Sequence, residues 1–182
     1  MKKCLIILII VLPLLYLTLL VVPKSGLIPY NKNLIIVAFK RNEEAFKIVG
    51  DYMIRNNSRI SINRVNPFDD SYTTPKDTLF YFVTGHFATN DREYVFSTGD
   101  RQVDAAINKI LKALPVDHIH FVDSSTTSIL FPLSAPLSPR GQGILYTTTE
   151  KPPVLSAGII TTIEIGNGWY YYQEGKAGDY PG

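Results

Sequence analysis

Hydrophobic positions along this chain follow two different patterns. Residues 4–23 (CLIILIIVLPLLYLTLLVVP) run for 20 positions without a charge. As a helix, that length crosses the roughly 30 Å hydrocarbon core of a bilayer. After Lys24 the apolar residues come in short segments broken by polar and turn residues, the pattern of a folded domain. The expected organisation is a signal-anchor transmembrane helix over 1–23 and a linker over 24–33. One α+β domain follows over 34–173, then a flexible tail over 174–182.

Within the domain, the period of the pattern predicts the elements. Leu34–Phe39 is a continuous apolar run rich in β-branched residues, which reads as a central strand covered on both faces. Asn42 then caps a helix with Glu43 and Glu44 in its first turn. Ala45, Phe46, Ile48, Val49, Tyr52 and Met53 share one face of it. Ser58–Val65 alternates as a half-exposed strand, and Thr78–Ala88 with Glu93–Ser97 forms a hairpin around Asn90-Asp91. Val103, Ala106, Ile107, Ile110, Leu111 and Leu114 line a second helix, capped by Asp100 or Ser97 and stopped by Pro115. His118–Val122 and Ile129–Phe131 are short strands. Six of the 12 prolines and eight of the 12 glycines lie from Pro132 onward, which argues against any further helix. Strands are expected there at Gly143–Thr149, Ile159–Ile165 and Trp169–Gln173, the last two joined through Gly166-Asn167-Gly168.

The order β-α-β-β-β-α-β points to an α+β fold with a ferredoxin-like split βαβ core, extended by C-terminal antiparallel strands. The alternative is an open, mainly parallel α/β sheet.

Composition and charge change this picture at three points. The sole cysteine, Cys4, lies in the apolar run, so the domain has no disulfide and depends on its core. Setting aside Lys2 and Lys3, the 18 basic residues fall to 16 against 16 acidic ones. A neutral domain has no charge with which to grip a nucleic-acid backbone, so nucleic acid is not expected as a partner. The apolar run exceeds the roughly 7–15 residues typical of a cleaved signal. Its end, Leu19-Leu20-Val21-Val22-Pro23-Lys24, also lacks the small residues that cleavage requires. The membrane is therefore expected as a partner through residues 4–23. Lysines flank the run on both sides, but a three-residue tail ahead of a long apolar run resembles a signal-anchor, which puts the tail in the cytoplasm and the domain on the periplasmic or extracellular side.

Candidate chemistry is sparse. His118 and His120 alternate in a strand and so point to one face. With His86 as a third ligand they would hold a metal that activates water, the arrangement of a metal-dependent hydrolase. Asp123, Ser124 and Ser125 lie just past a strand end, where sheet proteins place ligands, and the serines there are candidate nucleophiles. Neither serine has the glycine frame of a nucleophile elbow. Trp169, Tyr170, Tyr171 and Tyr172 form an aromatic strand suited to a sugar ring or a partner protein. No phosphate or dinucleotide loop is present, so no cofactor is expected. The resulting expectation is a single-pass, extracytoplasmic binding or interaction module for a protein or glycan, with the hydrolase as the alternative.

Overall fold

The computed structural model describes residues 31–56, 61–69, 71–84, 93–122, 128–134, 141–149 and 159–175. The apolar run 4–23, read above as a transmembrane helix, lies outside them, as does most of the tail. Among the described residues no helix is long and apolar enough to cross a membrane.

The chain enters the described region through two consecutive helices, α1 (Lys32–Arg41) and α2 (Glu43–Asn56). The strand expected at Leu34–Phe39 is therefore a helix, and it begins inside the stretch read as a linker. Two caps and one tertiary contact account for the difference. The Asn31 side chain accepts the Asn33 N–H at 2.8 Å and caps the start. Ile35 and Phe39 stand one turn apart and are the two buried positions of the helix. Asn42 ends it, its backbone N–H bonding to the Phe39 carbonyl at 2.8 Å and its side-chain amide to the Ala38 carbonyl at 2.8 Å. The Asn42 carbonyl in turn accepts from Phe46 N–H, so one residue closes α1 and opens α2.

Three short strands follow: β1 (Ile62–Arg64), β2 (Phe80–Thr84) and β3 (Glu93–Val95). Then comes α3 (Arg101–Ala113), capped by Asp100, whose carboxylate accepts the Gln102 N–H at 2.8 Å and the Val103 N–H at 3.3 Å. Five strands complete the described residues: β4 (His118–Phe121), β5 (Ser128–Pro132), β6 (Gln142–Thr147), β7 (Ile159–Gly166) and β8 (Trp169–Glu174). All eight strands form one sheet in the order β3-β2-β1-β4-β5-β6-β8-β7.

Every described pairing is antiparallel. This overturns the open, mainly parallel alternative. The split βαβ core also loses its first strand, because the residues assigned to it are in α1. What remains of the expectation is the class: helices and an antiparallel sheet, α+β.

Helices cover one face of the sheet. Phe39, Phe46, Val49, Met53, Ile107 and Ile110 from the helices pack with Ile62, Phe80, Ile119, Ile129, Phe131, Ile144 and Trp169 from the strands. Alternation along the strands sends the next residues to the opposite face. There a smaller buried cluster holds Leu145, Tyr170 and Tyr172, with Val122 and Leu130 packed against it. Gly143 makes room for it. A Cβ at that position would lie 2.4 Å from the Phe131 carbonyl oxygen and 2.8 Å from the Tyr172 ring. The aromatic strand β8 thus sits in the interior with both faces covered, and all four of Trp169, Tyr170, Tyr171 and Tyr172 are buried. An exposed aromatic platform on this strand is a misreading: one residue set packs on the helices, and the other packs into the second cluster.

Candidate functional site

The histidines lie on the helix-free face. In the row across the strands, Asn63 stands opposite Tyr81 on one side and opposite His118 on the other. His118 and His120 stack with ring centroids 4.6 Å apart. His118 Nδ1 lies 3.2 Å from the Asp117 carboxylate. His120 Nδ1 is buried without a hydrogen-bond partner. Burial, reinforced by the neighbouring His118, lowers the His120 imidazole to about 4. The shared face expected from the H-x-H spacing is therefore present, with the rings in contact. His86 lies outside the described residues, as do Asp123, Ser124 and Ser125. Among the described residues no group of three His, Cys, Asp or Glu side chains is placed to hold a metal ion.

Two features that the sequence did not announce lie elsewhere. The first is a half-buried aromatic patch on the outer strands of the same face. Tyr72, from the loop between β1 and β2, folds back over it. Its ring centroid is 4.9 Å from Tyr81, 4.8 Å from Tyr94 and 5.7 Å from Phe96. Its hydroxyl accepts from Asn66 N–H at 2.9 Å, which fixes the loop. Tyr81 alternates with the buried Phe80 and Phe82 in its strand, which is a legible signal. The approach of Tyr72 from a loop is not.

The second is a cleft of about 570 Å³ between the start of α2 and the tip of the β7–β8 hairpin, lined by Glu43, Glu44, Lys47, Tyr146, Asn167 and Trp169. Its floor is the half-buried Tyr146 ring, backed by the buried Trp169. Tyr146 stacks on Trp169 at 4.5 Å with 28° between the planes. Its rim is polar, with two carboxylates, an ammonium and the amide of Asn167. Lys40 approaches Glu43 at 3.5 Å and ties the end of α1 to this rim. Burial, helped by the charge of Asp51, raises the Tyr146 phenol above its ordinary value, so it stays a neutral hydroxyl at physiological pH.

The hairpin tip that bounds the cleft is set by its sequence. Gly166 pairs with Trp169, leaving Asn167-Gly168 as a two-residue loop. Both residues have positive φ, 46° and 82°, the requirement of a type I′ turn that Asn-Gly meets. Glu43 and Glu44 were legible as first-turn carboxylates of a helix, and Trp169 as a candidate aromatic contact. Their meeting was not legible, because it depends on α2 lying across β6 and β8.

An aromatic floor takes the apolar face of a ring, while carboxylates, an amide and an ammonium around it exchange hydrogen bonds with polar substituents. No protein-family model, curated protein or solved structure matches this chain.

Proposed function

We propose that this chain is a single-pass, membrane-anchored binding domain on the extracytoplasmic side, and that its ligand is a glycan or another polyhydroxylated polar molecule held in the α2–hairpin cleft. One observation carries the reading: an aromatic Tyr146–Trp169 floor ringed by Glu43, Glu44, Lys47 and Asn167. The anchor is the uncharged run 4–23. The cleft volume lies within the range of about 300–1,000 Å³ usual for small-ligand sites.

A panel of envelope and surface glycans titrated against the full-length protein in lipid nanodiscs tests this. At least one should bind, and Glu44→Gln or Tyr146→Ala should weaken it about tenfold, a loss of about 1.4 kcal/mol. Binding that survives both substitutions, or no binding across the panel, would remove the cleft as the site. The hydrolase alternative has one observation in its favour, the unpartnered buried Nδ1 of His120 beside His118. Metal analysis of protein purified without added metal separates the two. Near-stoichiometric zinc or manganese that disappears in His118→Ala/His120→Ala would favour catalysis, with His86 as the third ligand.

A further inference from the structure

The core-facing side of α1 is accounted for by Ile35 and Phe39. Its outer side is not. Leu34 is 60% exposed and Val37 is 45% exposed. With Phe68 they are the exposed large hydrophobic residues among those described. Leu34, Val37 and Arg41 follow one another at i, i+3 and i+7, so they form one stripe pointing away from the domain. The helix carries no acidic residue and has Lys32, Lys40 and Arg41 at its two ends. Lys40 is engaged with Glu43, and Arg41 continues the apolar stripe at its C-terminal end, while Lys32 lies on the side of Ile35 and Phe39.

Position in the chain says what covers this stripe. Seven residues, 24–30, separate the apolar run from Asn31. Fully extended they span at most about 25 Å. A helix tethered that closely to a membrane-spanning segment stays within reach of the headgroups. An exposed apolar stripe that ends in a cation fits a helix lying in the bilayer interface. Its charges meet the lipid phosphates while its apolar side chains enter the acyl boundary.

We infer that α1 is an interfacial helix that docks the domain onto an anionic phospholipid surface through Leu34 and Val37, with Arg41 on the headgroups. The inference rests on the membrane anchor of the proposed function. It adds that the domain has a fixed face toward the bilayer instead of swinging on its linker. Because Lys40 and Glu43 join α1 to the cleft rim, docking also holds the cleft close to the membrane surface.

The test uses the full-length chain in vesicles of phosphatidylglycerol and phosphatidylcholine, in a Cys4→Ser background. An environment-sensitive fluorophore is attached at Val37→Cys. A parallel sample carries it at Thr162→Cys, an exposed site on the helix-free sheet face. Lipids spin-labelled near the headgroup serve as quencher. Docking predicts quenching at position 37 at least about twofold stronger than at position 162. Leu34→Glu should abolish that excess. Arg41→Glu should shift the docking equilibrium about fivefold or more on the anionic vesicles and leave it unchanged on pure phosphatidylcholine. If substitution of Val37 disturbs the helix, the label at Leu34→Cys gives the same reading. Carbonate extraction of the same samples tests the anchor independently. Protein that resists extraction yet shows equal quenching at the two sites overturns the docking helix and leaves the anchor standing. Protein released by carbonate overturns both.

Discussion

At the scale of single residues, Arg64 shows how much one side chain can hold together. It projects from β1 to the end of α3 and donates to the carbonyls of Val116 at 2.8 Å and Leu114 at 2.9 Å, and to that of Leu111. The last carbonyls of a helix have no partner within it and form the negative end of its dipole, so a guanidinium there answers both needs. Arg64→Met should destabilise the domain by about 2–4 kcal/mol in urea unfolding, because partly buried acceptors lose a charged donor. Arg64→Lys should recover only part, since an ammonium cannot span the same carbonyls. His120 gives a pH-dependent counterpart. Its imidazole is held near 4 in the fold by burial and by His118, against an ordinary value of 6.5. Between those values the unfolded chain binds a proton that the folded chain refuses. This contribution to stability is therefore complete above about pH 6.5 and is lost as the pH falls toward 4. The loss is about 1–3 kcal/mol once the remaining exposure of the ring is allowed for. His120→Gln should flatten that part of the pH profile, measured as the difference in unfolding free energy between pH 7 and pH 4.5. An unchanged slope would place the ring in solvent.

At the scale of elements, helix α3 and the β7–β8 hairpin were legible, and α1 was not. Helix α3 has a period sustained over three turns, a capping aspartate and a proline stop. The hairpin has an Asn-Gly pair at the point where alternation breaks. Leu34–Phe39 is only six residues long and entirely apolar, so it fits either period, and its length could not arbitrate. The deciding signals, Asn31 and Asn42, flank the run and read equally well as turn residues. The hairpin offers a sharp test. Gly168 has φ of 82°, and a Cβ there would lie 2.4 Å from the Thr147 carbonyl oxygen. Gly168→Ala should cost about 2–4 kcal/mol, combining backbone strain with a clash. Asn167→Gly, at φ of 46°, should be close to neutral. Thermal unfolding of the two variants measures the contrast, and equal midpoints would mean that the turn is not type I′.

At the scale of the whole molecule, the sheet is asymmetric. Helices close one face, while the other carries the second buried cluster, the histidine pair and the tyrosine patch. The membrane reading belongs to this scale too. The expected outcome is that the protein keeps residues 1–23 in its mature form, because the uncharged run ends without small residues for a peptidase. Intact-mass spectrometry of the expressed protein checks this, and a mature N-terminus between Val21 and Ile28 would show the run to be a cleaved signal.

The sequence by itself determined the class and most of the elements. Alternation and helical period are local properties, and they marked α2, α3 and strands at all eight of the observed positions. It also determined that His118 and His120 share a face, because parity within one strand needs no partner. Only the tertiary structure decided the rest. Whether Trp169–Tyr172 is exposed depends on what lies above and below β8, and here the helices take one side and Leu145 with Leu130 the other. Whether Leu34–Phe39 is helix or strand depends on whether it finds a sheet edge or a core groove. The cleft joins residues more than 100 positions apart, Glu43 and Trp169 among them. No local pattern encodes that meeting, because it arises from the angle at which α2 crosses the sheet.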